Sequence, residues 1–355
     1  MFYREAGVFK TSYAADMALY PLPVSRWALG AIGVLLIVVL PLFASDYVLS
    51  ILNLILVAVV GAIGLNILTG NTGQISIGQG AFMAVGAYTA ANLIVRLHAP
   101  FWITIPAAGA MAALVGTIVG IPSLRIKGLY LTIATLAAQF IIEWMINHIT
   151  WISGGIQATI QMPPPVVFGY TLHSQAGFYL FLLCFAVLAT IAAKNLVRSR
   201  LGRAFVAVRD QDIAAEIIGI DIFRTKLVSF AISSFYAGVA GALYSYYLGI
   251  ANYEQFQIDV SIDYLAMVII GGLGSVTGSI LGAAFITLLP VVTRRVLEAA
   301  GGMLGAGFDV AGIIPELRLC LFGALIIIFL VVEPEGLDRL WRNVRNWFRT
   351  WPFSY

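Results

Sequence analysis

Long apolar runs separated by short polar segments occupy most of the chain. Each run has about the 20 residues that a helix needs to cross a bilayer. The runs lie near residues 27–44, 47–68, 76–96, 101–121, 128–149, 177–193, 225–250, 263–291 and 315–332. The penultimate run is too long for one straight span and contains GGLGSVTG, so we expect it to be broken. The pattern predicts an all-α integral membrane protein with about 9–10 spans and broken helices.

The composition supports the same class of protein. The chain is 61% hydrophobic and 10% charged, whereas soluble domains have about 45–50% apolar and about 25% charged residues. Runs of this length predict helices rather than the short alternating strands of a membrane barrel. The net charge of +3 gives no indication of a nucleic-acid partner.

The lysines and arginines orient the spans, because loops rich in these residues stay in the cytoplasm. The loop 194–226 is the richest; its cations are Lys194, Arg198, Arg200, Arg203, Arg209, Arg224 and Lys226. Counting alternate spans from this loop places both termini in the cytoplasm. The predicted parts are a cytoplasmic N-terminal segment 1–26, a transmembrane domain 27–338 with a cytoplasmic loop 194–226 and a cation-free periplasmic loop 150–176, and a cytoplasmic basic tail 339–355.

One region leaves two topologies open. Residues 251–263 and the position near 314 should both lie outside, so 264–313 must cross an even number of times. Either the long run 263–291 enters and returns as a broken hairpin, or 296–313 makes an extra crossing. Arg294 and Arg295 favour an inner location and therefore the extra crossing, but Glu298 and Asp309 argue against an ordinary helix there.

Two glycine-rich stretches echo each other. TGNTGQISIG at 69–78 resembles IGGLGSVTG at 270–278, and both interrupt apolar runs. Their expected helix-break glycines are Gly70, Gly73, Gly78, Gly271, Gly272, Gly274 and Gly278. The charge count gives the two stretches opposite orientations, which is typical of transporters built from inverted repeats. The alternative is that these glycines only allow close helix packing.

Motifs for catalysis are missing from the sequence. No Gly-x-x-x-x-Gly-Lys-Ser/Thr loop, His-Glu-x-x-His or Gly-x-Ser-x-Gly occurs. Cys184 and Cys320 lie in apolar runs and are expected to be small buried side chains, and no His or Cys cluster has metal-ligand spacing. Glu143 lies near the outer end of its run, where an interfacial role is expected. We therefore expect no catalytic site, metal or cofactor in this chain.

The cytoplasmic loop contains a short amphipathic segment. Residues 212–218 favour a helix, and Gly219 is a plausible C-cap. Its exposed isoleucines suggest a partner groove. The alternative is a helix lying on the membrane, but such helices favour a polar face rich in lysine and arginine, and this one is mixed with acids.

Several motifs resemble a known family. Ala214-Ala215-x-x-x-Gly219 resembles the Glu-Ala-Ala coupling loop of ATP-binding-cassette (ABC) importer permeases, although Ile213 replaces the glutamate and the downstream Ile-x-Leu-Pro is absent. Longer stretches resemble the larger permease of branched-chain amino acid importers: GLNILTGNTGQISIGQGAFMAVGAYTAA (64–91), GRAFVAVRDQDIAAEIIGID (202–221), AGVAGALYSYY (237–247), DYLAMVIIGGLGSVTGSILGAAF (263–285) and EPEGL (333–337). The resemblance covers about 47–340 and is weakest in the first 26 residues and at 293–314.

The resemblance implies a polytopic permease of the bacterial inner membrane, surrounded by lipid and working with several partners. These would be a second homologous permease subunit, two cytoplasmic ATPase subunits and a periplasmic substrate-binding protein. The residues it assigns to the ATPase-coupling loop are Arg209, Asp210, Asp212, Ala214, Ala215, Glu216 and Gly219. The stiff stretch Pro163-Pro164-Pro165 in the periplasmic loop is a surface that a soluble partner could contact.

The polar side chains near the first glycine stretch are candidates for the substrate path. Asn66, Gln74, Ser76 and Gln79 could offer neutral hydrogen bonds to a zwitterion, or they could only join helices. The expected substrates are branched-chain or other hydrophobic amino acids. Urea, short amides and small organic or aromatic acids are alternatives within the same architecture, and an ion-coupled secondary transporter is the alternative from a different class.

Overall fold

The computed structural model describes residues 11–12, 27, 30–31, 33–123, 129–154, 158–167, 170–304, 320, 323–324, 327 and 336–350. A short π-helical turn, Leu35–Val39, leads directly into the helix Leu40–Phe43. The helices are α1 (Leu40–Phe43), α2 (Asp46–Thr72), α3 (Gln79–Leu97), α4 (Phe101–Ser123), α5 (Leu129–His148), α6 (Thr150–Ser153), α7 (Gln175–Arg198), α8 (Arg200–Asp210), α9 (Asp212–Ile217), α10 (Ile222–Leu248), α11 (Ile258–Gly271), α12 (Val276–Leu304) and α13 (Gly336–Thr350). The strands are β1 (Thr159–Gln161), β2 (Val166–Val167), β3 (Tyr170–Thr171) and β4 (Ile250–Asn252).

Seven of the described helices are long and apolar enough to cross a membrane. They are α2, α3, α4, α5, α7, α10 and the first part of α12. These helices correspond to the second to eighth predicted runs. The first run is described only in part, and the ninth run falls almost wholly outside the described residues. Outside them too lie residues 1–10 and 13–26 of the N-terminal segment, 155–157 and 168–169 of the periplasmic loop, and 351–355 of the tail.

Helix α10 forms the centre of the bundle and packs against α2, α3 and α4. Glycines allow these contacts to be close. A Cβ on Gly86 of α3 would overlap the backbone of Gly238 in α10, and a Cβ on Gly241 would overlap the carbonyl of Met83. Small residues therefore let the backbones meet, as they do in many membrane helix pairs.

Helices α11 and α12 form a tight antiparallel hairpin broken at residues 272–275. A Cβ on Gly282 would overlap the carbonyl oxygen of Met267, and a Cβ on Gly271 would overlap that of Gly278. The predicted break in the long run 263–291 is confirmed. Only glycine fits where the two backbones cross.

The hairpin also decides between the two topologies. We call the end of the bundle that holds α8, α9 and Gly73 the basic end. The hairpin turns at this end, and α12 then runs back until Arg295 lies over the ring of Tyr47, 5.5 Å from its centre, at the start of α2. Arg295 therefore lies at the end opposite the basic end and does not share the side of loop 194–226, as the inference from Arg294 and Arg295 required. The broken hairpin is the arrangement observed.

The two echoing stretches also have parallel rather than opposite orientation. Gly61 of α2 lies against Tyr264 of α11, and Gly70 lies against Gly274, so α2 and α11 approach their breaks in the same direction. The charge count misplaced the second stretch because it treated residue 263 as the outer start of a full span. Helix α11 instead begins at Ile258 and reaches the basic end in 14 residues.

The opposite end of the bundle is closed by paired loops. Strand β1 pairs antiparallel with β4, which joins the loop after α6 to the loop after α10. The Tyr88 hydroxyl of α3 donates to the carbonyl of Ala158, next to this pair. Cys184 and Cys320 are exposed rather than buried, because they lie on surfaces that the bundle does not cover.

Candidate functional site

The first glycine stretch forms an extended segment, 73–78, between α2 and α3. Gly73 ends α2 with φ +69°, a left-handed conformation that favours glycine. Side chains then satisfy the backbone beyond it. The Ile77 N–H donates to Thr135 Oγ1 at 3.1 Å, and the Thr132 hydroxyl of α5 donates to the Ile75 carbonyl at 3.3 Å. Unpaired backbone is tolerated at membrane depth only where protein surrounds it, as here.

Helix α3 begins inside the bundle rather than at its surface. The Gln79 side chain donates to the Gly61 carbonyl at 3.0 Å. Gly61 lies twelve residues before Gly73, or about 18 Å along a helix. The first free N–H groups of α3 have side-chain partners: Gly80 donates to Ser261 Oγ at 2.8 Å, and Ala81 donates to Gln139 Oε1 at 2.6 Å. This buried helix start places oriented N–H groups deep in the membrane domain.

Asn66 connects the two breaks. Its side-chain amide donates to the Ser275 carbonyl at 2.7 Å and to Ser279 Oγ at 2.6 Å, and its oxygen accepts the Gly274 N–H at 2.8 Å. The side chain is 3% exposed. A single buried amide therefore ties the last turns of α2 to the turn between α11 and α12.

Arg209 connects the same place to the cytoplasmic loop. Its Nη1 donates to the Gly70 carbonyl at 2.9 Å, and a Cβ on Gly274 would lie 3.3 Å from that nitrogen. Its Nη2 pairs with Asp210 at 2.9 Å. Arg209 lies in the last turn of α8, directly before α9. The loop is thus joined to both breaks through one guanidinium.

The predicted amphipathic helix is observed as α9, and backbone hydrogen bonds close its C-terminal end. Gly219 has φ +89°, its N–H donates to the Glu216 carbonyl at 2.9 Å, and the Ile220 N–H donates to that of Ala215 at 3.0 Å. This pair of bonds is the Schellman motif, which confirms Gly219 as the residue after the C-cap. Ala215 is buried, whereas the isoleucines are exposed: Ile213 by 66%, Ile217 by 80% and Ile218 by 74%.

The four side chains predicted for the substrate path all lie near the first break and are all buried. Asn66 joins the two breaks, and Gln74 donates to Ser229 Oγ of α10 at 3.0 Å. Ser76 accepts the Gly78 N–H at 3.3 Å, and Gln79 bonds to α2. Their contact with substrate stays a prediction.

Sequence reasoning missed the partners of these groups. Gln139 of α5 accepts from Ala81, and it also donates to the Phe256 carbonyl at 2.8 Å. Ser261 and Ser279 complete the two clusters and are fully buried. Gln139 could have been found from the sequence, because it is a polar residue inside the apolar run LAAQFIIEW.

The loop prolines lie at the opposite end of the bundle. Pro163, Pro164 and Pro165 line a cavity of about 330 Å³ together with His98 and Phe101. Across the described residues, no cluster of three or more His, Cys, Asp or Glu side chains could hold a metal ion.

The chain combines spanning helices, two buried breaks and a short helix, α9, that exposes isoleucines at one end of the bundle. These features define a multi-pass membrane protein of the permease class. Residues 47–330 match the family described as "Branched-chain amino acid transport system / permease component". The chain belongs to this family of ABC importer permeases.

Individual relatives agree with this assignment. The chain is 32% identical to the Escherichia coli high-affinity branched-chain amino acid transport system permease protein LivM, covering 84% of this chain and 71% of the relative. It is 28% identical to a probable branched-chain amino acid transport permease protein LivH of Methanocaldococcus jannaschii, covering 81% of this chain and 91% of the relative. It is 24% identical to the Haemophilus influenzae ribose import permease protein RbsC, covering 70% of this chain and 77% of the relative. No solved structure matches the chain.

Proposed function

We propose that this chain forms half of the translocation path of an ATP-driven importer in the bacterial inner membrane. The basic end and both termini face the cytoplasm, where two ATPase subunits dock. A second homologous permease subunit supplies the other half of the path, and a periplasmic binding protein delivers substrate to the opposite end. Family membership and the distribution of cations support this arrangement. ATP hydrolysis belongs to the partner subunits, because this chain has no P-loop.

The contact of Arg209 carries the proposal. This residue belongs to α8, its neighbour α9 presents the exposed isoleucines, and its guanidinium holds Gly70 beside Gly274. A displacement of α9 by an ATPase subunit would therefore change a contact at both breaks at once. Helix α8 also packs against α2, α7 and α10, so the Arg209 contact is one of several between the loop and the membrane domain.

The proposed mechanism is alternating access with the two breaks as hinges. Closure of the ATPases moves α8 and α9 as one lever, and Arg209 transfers the motion to α2 and α11. Asn66, Gln74, Ser76 and Gln79 use their hydrogen bonds within the chain in the observed conformation. A zwitterionic substrate would meet these amides and the N–H groups at the start of α3 after the breaks open.

The proposed substrates are branched-chain or other hydrophobic amino acids. The family description and the names of the E. coli and M. jannaschii relatives support this class. Urea, short amides and small organic or aromatic acids are the competitors to include. The test is a titration of the cognate binding protein with each compound, followed by uptake of the tightest ligand into proteoliposomes that contain all subunits.

The docking surface is tested with Ile217→Asp. A buried charge at a protein interface is costly, so we expect loss of ATPase-subunit co-purification and of ATP-driven uptake. The matched control, read only by ATPase-subunit co-purification, is Val166→Asp, since Val166 is 51% exposed at the opposite end. The docking claim is wrong if Ile217→Asp keeps both properties. Ala215 is a poor position for this test, because it is buried and a larger side chain would disturb α9 itself.

The link from loop to breaks is tested with Arg209→Gln. We expect the ATPase subunits to stay bound and to hydrolyse ATP, while uptake per ATP falls at least tenfold. Arg203→Gln is the control, because it removes an exposed arginine of the same helix whose Nη1 donates to the Arg198 carbonyl and not to a break. Unchanged uptake per ATP in Arg209→Gln would remove the proposed role.

An ion-coupled secondary transporter would work without ATPases. The purified chain alone, reconstituted with proton or sodium gradients, should therefore show no substrate uptake. Gradient-driven uptake by the single chain would replace the importer mechanism with the secondary-transport one.

A further inference from the structure

The last described helix, α13, separates apolar and polar residues with helical spacing. Leu337, Leu340, Trp341, Val344 and Trp347 recur every three or four residues and share one face. Arg339, Arg342, Asn343 and Asn346 occupy the other face. The apolar face is open: Leu340 is 43% exposed, Trp341 51%, Val344 47% and Trp347 58%.

The first turn of α13 is fixed to the second break. The Thr277 hydroxyl, at the start of α12, donates to Asp338 at 2.5 Å, and Asp338 also pairs with Arg342 at 3.5 Å. Gly336, with φ +67°, lies so close to Ile270 and Gly272 that a Cβ there would contact their backbone atoms within 2.7 Å. The helix therefore leaves the bundle at the basic end, at the level where the hairpin of α11 and α12 turns.

Helix α13 cannot itself cross the membrane. It has 15 residues, and a spanning helix needs about 20 predominantly apolar ones. Its sequence contains four arginines against one aspartate, a net charge of +3, and the aspartate is engaged with Thr277. A helix at this level with an aromatic and aliphatic face is suited to the boundary between headgroups and acyl chains, where tryptophan is enriched.

We propose that α13 lies in the plane of the membrane interface and binds the anionic headgroups of phospholipids. Its apolar face enters the acyl boundary, and its arginines meet lipid phosphates. Charge distinguishes this surface from α9, whose polar face includes Asp212 and Glu216 and so does not complement an anionic surface. Because Asp338 holds Thr277, the lipid-bound helix would also fix the position of the second break.

The test places a spin label on each face of α13 in the full chain. Cys184 and Cys320 are replaced by serine, and a nitroxide is attached to Val344→Cys or to the neighbouring polar-face position Asn343→Cys. The chain is reconstituted in lipid nanodiscs of phosphatidylcholine with and without phosphatidylglycerol. Collision rates are then measured with oxygen, which concentrates in lipid, and with a water-soluble nickel chelate.

We expect the label at 344 to collide with oxygen and be shielded from nickel, and the label at 343 to show the reverse. The contrast should grow with phosphatidylglycerol and shrink at high salt. Nickel access at both positions would overturn the proposal, and so would shielding of 344 that appears only after the ATPase subunits are added. If the label at 344 lies equally deep with and without phosphatidylglycerol, the proposed binding of anionic headgroups is wrong.

A charge variant tests the arginines directly. The double variant Arg339→Gln with Arg342→Gln should lower the ratio of membrane-bound to released α13 roughly 30-fold in anionic bilayers. This factor follows from the loss of two surface cations, each of which contributes about 1 kcal/mol to binding. The matched control is Arg339→Lys with Arg342→Lys, which keeps the charge and should keep the depth of the 344 label. The same loss in both variants would assign the effect to packing of the helix rather than to charge, and would overturn the proposal.

Discussion

The two glycine breaks meet at Asn66 but are built in different ways. The first, 73–78, is an extended segment whose backbone bonds to side chains of α2 and α5, and whose Gln74 side chain donates to Ser229 of α10. The second, 272–275, is a short turn in a hairpin where the backbones of α11 and α12 touch. Polar side chains support the first break, and the absence of side chains permits the second. The first should therefore tolerate small changes in volume, and the second should not.

The largest effect is expected from Gly282→Ala. Its Cβ would overlap the Met267 carbonyl, and backbone atoms cannot move aside as a flexible side chain could. We expect a loss of about 3 kcal/mol or more, seen as a collapse of the monodisperse fraction and of the unfolding temperature in detergent. Gly33→Ala is the control, because nothing lies within 4 Å of a Cβ there. Equal stability of the two variants would contradict the close hairpin.

Asn66→Ala should have the next largest effect, because it affects both breaks. It leaves the Gly274 N–H, the Ser275 carbonyl and Ser279 without this partner. Unsatisfied buried groups cost about 1–3 kcal/mol each, so we expect a loss of about 3 kcal/mol and reduced uptake. Ser279→Ala removes one of these bonds and should cost about 1 kcal/mol. Similar unfolding temperatures for the two would show that Asn66 does not connect the breaks.

Gln139→Leu tests the start of α3 alone. It removes the acceptor of the Ala81 N–H and the donor to the Phe256 carbonyl, for an expected loss of about 2 kcal/mol. Gln139→Glu keeps an acceptor for Ala81 and should lose less when the proteins are compared by thermal unfolding. An equal or greater loss in the glutamate variant would show that the acceptor for the Ala81 N–H does not stabilise the start of α3.

The smallest effect is expected from Thr135→Val, which keeps the volume and removes the acceptor of the Ile77 N–H. We expect a loss of about 1 kcal/mol in thermal unfolding. Thr89→Val is matched to it, because the Thr89 hydroxyl donates to the Val85 carbonyl within its own helix. If both variants behave alike, the side chains of α5 do not hold the first break.

Sequence patterns predicted the spanning helices and both breaks because these depend on local composition. The orientation of the second break could not be obtained in the same way, since Arg294 and Arg295 look like inner residues until Arg295 is seen over Tyr47. Gln139 was overlooked because its partners, Ala81 and Phe256, are brought to it only by packing. The spacing of the leucines, valine and tryptophans indicates the apolar face of α13, whereas the cations alone predict only a basic tail.

The partners of the first break have a consequence for biosynthesis. The partner of the Ile77 N–H, Thr135, is synthesised 58 residues after it. The partner of the Gln74 side chain, Ser229, is synthesised 155 residues after it. Until α5 and α10 emerge from the ribosome, these polar groups of the segment 73–78 lack their hydrogen-bond partners, so the segment would be unstable in lipid. We therefore expect α2 and α3 to remain with the insertion machinery, or at the headgroup level, until α10 arrives. A nascent chain stopped before α10 should accordingly crosslink to an insertase through residues 73–78, and one stopped after α10 should not.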